Sequence, residues 1–176
     1  MAPDLDRWLP APALRSAHRR DARADPAVLW NAALGVRLGD CRLLGRLVRA
    51  RLGVGDPDTT FDALFRSPPF VALERGPSWA LSGLCGRIWR VRGELGALAD
   101  ADAFRDWSEP GTARVLFANW VEPLRTGSAL HSEVRVDAVD RRAARYLRAL
   151  EPFVATFQGL VGRESLTVAV RRADGA

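Results

Sequence analysis

Apolar positions recur at steps of three and four through residues 140–172: Ala143, Leu147, Leu150, Val154, Phe157, Val161 and Val168, with one turn skipped near Ser165. That spacing predicts one long amphipathic helix. Arg141, Arg145, Arg148, Gln158 and Arg172 fall largely between those positions and give it a wet side. At 1.5 Å per residue the run would reach roughly 50 Å, so it needs a broad surface to lie on. Pro152 removes a backbone donor inside it, which predicts a kink near 148–152.

Upstream the period changes. Residues 113–122 and 128–136 read as two strands, joined as a hairpin through Pro123, Arg125, Thr126 and Gly127. On the second, Leu130, Ser132, Val134 and Val136 point one way and His131, Glu133 and Arg135 the other. Residues 70–74 and 79–89 are short aromatic or β-branched runs around Gly76, Pro77 and Ser78, and predict an antiparallel pair. The stretch 93–106 reads as a variable connection.

The N-terminal half is helical after one strand. Residues 13–24 are polar and arginine-rich, and alternation alone does not make them a strand; their place ahead of a helix start does, with Asp25 as N-cap and Pro26 in the first turn. Val28, Leu29 and Leu34 give that short helix its apolar face. Gly35 and Gly39 interrupt, and a second helix follows, with Leu43, Leu44, Leu47, Val48 and Leu52 on one side and Arg42, Arg46, Arg49 and Arg51 on the other. After a turn-rich break at 53–58, Phe61, Leu64 and Phe65 mark a third helix that Pro68 and Pro69 stop. Residues 1–12, with Pro3, Pro10 and Pro12 around Trp8 and Leu9, read as an extended lead-in pinned by one aromatic contact, and residues 13–173 as a single domain.

Composition adds three constraints. A chain of 176 residues with 48% hydrophobic residues can bury one sizeable core. The net charge is +5, but all 26 basic residues are arginine, so arginine also occupies ordinary solvated faces and no nucleic-acid partner is expected. Cys41 and Cys85 belong to no metal-ligand or C-x-x-C pattern and read as reduced thiols of a cytoplasmic protein. No apolar run approaches a membrane span, so no integral membrane association is expected. Oligomeric state is not legible.

Catalytic signatures are missing where they would be recognisable. Ser165 has no G-x-S-x-G context, Cys85 has no histidine near it in sequence, and Gly53 and Gly55 lack the rest of a dinucleotide fingerprint. No cofactor is expected. His131 and Glu133 alternate on one strand face, but two ligands do not make a metal site, and the remaining histidine, His18, stands in an arginine-rich stretch. Glu133 with Arg135 reads as a charge pairing across strands, against a general acid with its orienter. Trp79, Trp89, Trp107 and Trp120 lie in or beside the predicted sheet and fit either pocket lining or plain core. If the face of Phe117, Asn119 and Val121 looks inward, the Asn119 amide needs a partner, from a ligand or from backbone. Gly159 and Gly162 imply close helix–sheet approach or a gate for ligand entry. The arginines of 42–51 form either a solvated face or a contact for acidic lipid headgroups.

Several words stand out in this order: Gly86-Arg87-Ile88-Trp89; the Glu109-Pro110-Gly111 turn into a strand ending Val121-Glu122-Pro123; Leu130-His131-Ser132-Glu133-Val134-Arg135-Val136; Pro152 in the final helix; and the basic tail Arg171-Arg172. With them the chain resembles the START-like helix-grip (SRPBCC) superfamily, which includes polyketide cyclase-like and lipid-transfer proteins, and in particular an uncharacterised bacterial branch of it. It departs from that branch at Val134, in place of threonine, and at His131. The resemblance implies an α+β helix-grip fold, an antiparallel sheet wrapped around the kinked C-terminal helix. It also implies binding of a small hydrophobic molecule, lipid or polyketide-like, in a cavity between sheet and helix. The expected lining is Trp79, Trp89, Phe117, Asn119, Trp120, Glu133 and Phe157. The alternative is a cyclase- or dehydratase-type lyase or isomerase acting in the same cavity.

Overall fold

The computed structural model describes residues 2–52, 56–90 and 94–176, with 51–52 and 150–162 described by backbone alone. Strands β1 (Leu14–Ala22), β2 (Val71–Gly76), β3 (Trp79–Gly86), β4 (Ala113–Pro123) and β5 (Ser128–Ala138) form one antiparallel sheet in the order β1-β5-β4-β3-β2. Helices α1 (Pro26–Leu34), α2 (Arg42–Leu52) and α3 (Phe61–Leu64) carry the chain from β1 to β2 at the opposite edge. A short α4 (Ala101–Arg105) lies between β3 and β4, and α5 (Arg141–Asp174) closes the chain. The architecture is α+β, with the C-terminal helix packed on the sheet.

Strand alternation sends successive residues to opposite faces, and here both faces are covered. Toward α5 point Val115 and Val121 of β4 and Leu130, Val134 and Val136 of β5, clustered with Leu147, Leu166 and Ala169 of the helix and with Leu29 and Trp30 of α1. Toward the other side point Leu81 and Cys85 of β3 and Leu116 and Ala118 of β4. These are covered by Leu5, Trp8 and Leu9 of the N-terminal segment and Phe104 of α4.

Local chemistry fixes the joints. Asp140 caps α5: its carboxylate accepts from the backbone N–H of Ala143 at 2.7 Å and from that of Gly111 at 2.7 Å, tying the helix start to the turn before β4. Those two donors hold the Asp140 carboxyl below its usual range. In the β4–β5 hairpin Gly127 has φ +79°, and a Cβ there would lie 2.2 Å from the Ala22 carbonyl oxygen, so only glycine fits. At the far end of α5 the Asp174 carboxylate accepts from the N–H groups of Arg23 and Ala24, at 2.8 and 3.0 Å, closing the chain onto the β1–α1 corner.

Four expectations from the sequence need amendment. The stretch 93–106 contains α4, capped by Asp100, whose side chain accepts from Ala103 N at 2.8 Å; five residues are too few for a periodic signal. The N-terminal segment is not extended: it turns at Leu5, whose carbonyl accepts from Trp8 and Leu9, and it buries three apolar side chains rather than making one contact. On α2, Leu44 and Val48 are buried but Leu43 and Leu47 face outward, so the apolar side is split. In the last turns of α5 the buried stripe is Leu166, Ala169 and Ala173, with Val168 only partly covered. The side chains of the stripe positions Leu150, Val154, Phe157 and Val161 lie outside the described residues, as does the packing around Pro152 and the glycines 159 and 162.

Candidate functional site

Between the sheet and α5 a cavity of about 70 Å³ remains. Sheet positions Ala80, Phe117 and Leu130 form its apolar floor, Trp30, Ala33 and Leu34 of α1 one wall, and Leu166 and Ala169 of α5 the roof. Phe61 and Phe65 close one end. There Phe65 lies 5.1 Å from Phe117 and 5.1 Å from Phe70 between ring centroids, the second pair edge-on at 87°. A half-exposed ion pair, Arg75 Nη1 to Asp62 Oδ1 at 2.6 Å, supplies the charged part of the wall.

Three neutral polar side chains interrupt the apolar floor. Asn119 on β4 sits directly opposite Ser132 on β5 and Ala80 on β3, and Ser82 is opposite Phe117, one row away. Ser82 and Ser132 are buried. Among the described residues none of the three side chains has a hydrogen-bond partner. Their polar atoms open onto the cavity, where water or the polar atoms of a guest can meet them. His18 on β1 is opposite Ser132 on the same face and sits 3.1 Å from the Ser16 hydroxyl, which extends the polar row toward the sheet edge.

The sequence-derived lining residues divide between places. Phe117 and Asn119 line the cavity. Trp79, Trp120 and Glu133 stand on the opposite face, because β4 alternates and Asn119 and Trp120 are neighbours in it. There Trp120 stacks on His131 at 4.8 Å with the rings 6° from parallel, and His131 Nε2 lies 2.9 Å from Glu122 Oε2. Trp89 is on the helix side but stacks on Tyr146, at 5.3 Å and 20°, away from the cavity. The side chain of Phe157 lies outside the described residues. Sequence reading missed Trp30, Phe65, Ser82, Ser132 and Arg75; the strand alternation that grouped Ser132 with Leu130 and Val134 was the available signal.

Glu133 anchors an ion cluster on that opposite face. Arg15 reaches it from β1 with two parallel bonds of 2.9 Å, and Arg135 Nε donates to it at 2.7 Å from two residues along the same strand. Arg135 also donates to Asp6 Oδ1 at 2.5 Å and to the Leu9 carbonyl at 2.8 Å, which fastens the N-terminal segment to the sheet. Burial would raise the Glu133 carboxyl, but the hydrogen bonds and charges of Arg15 and Arg135 outweigh it and hold it below the usual range. A carboxylate held ionised this firmly is a structural anion and a poor proton donor. Cys41 and Cys85 are both free and buried, and burial pushes each thiol up to about 12. Among the described residues no group of three or more metal-binding side chains comes together, and no helix is long and apolar enough to cross a membrane.

No family model matches the chain, and no curated protein matches it. Among solved structures it is similar to protein CV1439 from Chromobacterium violaceum, at 15% identity and a TM-score of 0.44 over 91% of this chain and 96% of that one. It is similar to TTHA0849 from Thermus thermophilus at 11% identity and a TM-score of 0.38, over 91% and 97%. A third similarity, at 9% identity and a TM-score of 0.32, is to the di-domain ARO/CYC StfQ from the steffimycin biosynthetic pathway, covering 92% of this chain and 51% of that one.

Proposed function

We propose that the chain is a START-like helix-grip binding protein, residues 13–173 forming the domain, which holds a small hydrophobic molecule bearing at least one hydrogen-bonding oxygen. The observation that carries this reading is the set of three neutral polar side chains, Ser82, Asn119 and Ser132, on the floor of a largely apolar cavity, without hydrogen-bond partners among the described residues. Asn119 offers both a donor and an acceptor, and each serine hydroxyl does the same. A carbonyl or hydroxyl of the guest is therefore matched whichever role it plays, while the aromatic end takes the hydrocarbon part. The cavity volume equals only a handful of water-sized spheres, so a larger lipid or polyketide-like guest requires Phe65 and Phe117 to change rotamer. The buried free thiols suit a reducing cytoplasm.

Solvent extraction of detergent-free purified protein, read by mass spectrometry, should recover an oxygenated apolar compound in near-stoichiometric amount, and recover less from Asn119→Leu. Nothing recovered, together with no saturable binding of a small alcohol or ketone, overturns the reading. The same three groups also suit a cyclase-type lyase or isomerase that steers a reactive polyketide-like substrate. Turnover of such a substrate, abolished in Asn119→Leu while binding persists, would select that second reading.

A further inference from the structure

We propose that the outward face of α2 docks on an anionic lipid bilayer. The inward side of this helix is fixed: Leu44 and Val48 are buried, and Gly45 approaches the Leu38 carbonyl so closely that a Cβ would lie 1.9 Å from the oxygen. With that side committed, Leu43 and Leu47, one helical turn apart, are left 56% and 43% exposed. Arg42 and Arg46 are exposed on the adjoining strip of the helix, and among the described residues neither is paired with a carboxylate. α2 contains no acidic residue of its own.

The pattern is aliphatic side chains bordered by guanidinium groups that have no carboxylate partner among the described residues, on a helix braced from behind. Leucines of this kind sit at the boundary of headgroups and acyl chains, while the arginines pair with phosphates at the level above. An acidic protein partner fits less well, because α2 carries no aromatic residue to anchor one. The bracing comes from α5: the Glu164 carboxylate accepts from the backbone N–H groups of Leu43 and Leu44 at 3.3 and 2.8 Å. Ser165 and Leu166, the next two residues, line the cavity, so a bilayer under α2 would lie beside one of its walls.

The test is co-sedimentation of the full chain with phosphatidylcholine vesicles prepared with and without phosphatidylglycerol. Variants are Leu43→Ser/Leu47→Ser and Arg42→Glu/Arg46→Glu, with thermal melts to establish that both remain folded. The chain should pellet only with the anionic vesicles. The arginine variant should bind about twentyfold or more weakly, from roughly fivefold per cation removed before charge reversal is counted. The leucine variant should lose comparable affinity and resist rescue by low salt. Equal binding to both vesicle types, unaltered binding of both variants, or binding to a soluble polyanion that ignores the leucines would overturn the proposal. The outcome does not depend on whether the cavity takes a guest.

Discussion

Asn119 and Ser132 face each other across the β4–β5 pair, beneath the C-terminal helix, and among the described residues neither side chain has a hydrogen-bond partner. A core could have used valine and alanine at these positions at no cost in hydrogen bonding. On the proposed binding reading, polar groups kept there trade folding stability for recognition, and the trade can be measured on both sides.

On the stability side, Asn119→Leu should leave the free protein as stable as before or raise its unfolding free energy by about 1 kcal/mol, because it replaces a partly buried amide with apolar volume beside the void. Urea denaturation checks this. Affinity for an oxygenated guest should fall about tenfold, the worth of one to two hydrogen bonds in a sheltered site. A stability loss of several kcal/mol would mean that the amide has a structural role.

The aromatic residues should separate by face. Phe117→Ala should weaken guest binding, since its ring packs with Phe65 and Phe70 at the cavity end. Trp120→Phe should leave binding unchanged, since Trp120 stacks on His131 across the sheet. Titration of both variants with one guest distinguishes these outcomes.

The Glu133 cluster predicts an acid-side loss of stability. Because the folded carboxyl titrates below its unfolded value, its contribution is fully present above the ordinary glutamate range and disappears as pH falls through the lower, folded value. Glu133→Gln should cost about 3 kcal/mol at neutral pH, chiefly by taking from the buried Arg135 its buried counter-ion and leaving it only the exposed Asp6, and should flatten the stability profile on the acid side. Arg15 is 59% exposed, so its arm contributes the smaller share. Urea midpoints across acidic pH test both effects.

Thiol chemistry gives a quick check of the core. With both cysteines buried and their pKa values pushed up to about 12, neither should react with an aromatic disulfide reagent at pH 8 in the native state. Both should react at once in denaturant. Rapid native-state labelling would show that the sheet or the Cys41 corner opens.

Much of the fold was legible, because period and caps are local. The period of α5, the hairpin at Gly127 and the alternation of β5 could all be read from neighbouring residues. The orientation of β4 could not. Alternation says that Asn119 and Trp120 diverge, but not which of them meets the helix, and both faces of this sheet are covered by apolar partners. Tryptophans thus looked like cavity lining when Trp79 and Trp120 belong to the other layer. The N-terminal cover and Phe104 were invisible for the same reason: nothing local announces that Leu5, Trp8 and Leu9 fold back onto strands that follow more than sixty residues later. His18 was passed over because its strand reads as a polar stretch, and only its register against Ser132 places it on the cavity side of the sheet.

A proton–nitrogen correlation spectrum, followed through a titration with cyclohexanol, reads guest binding at Asn119 without any substitution. It resolves the side-chain amides of the chain's two asparagines, Asn31 and Asn119, alongside the six indole N–H groups. A guest bound between the sheet and α5 should give a saturable shift of the Asn119 amide, with the Trp79 and Trp120 indoles unmoved. Saturable shifts of those two indoles with a silent Asn119, or no saturable shift anywhere, would contradict it.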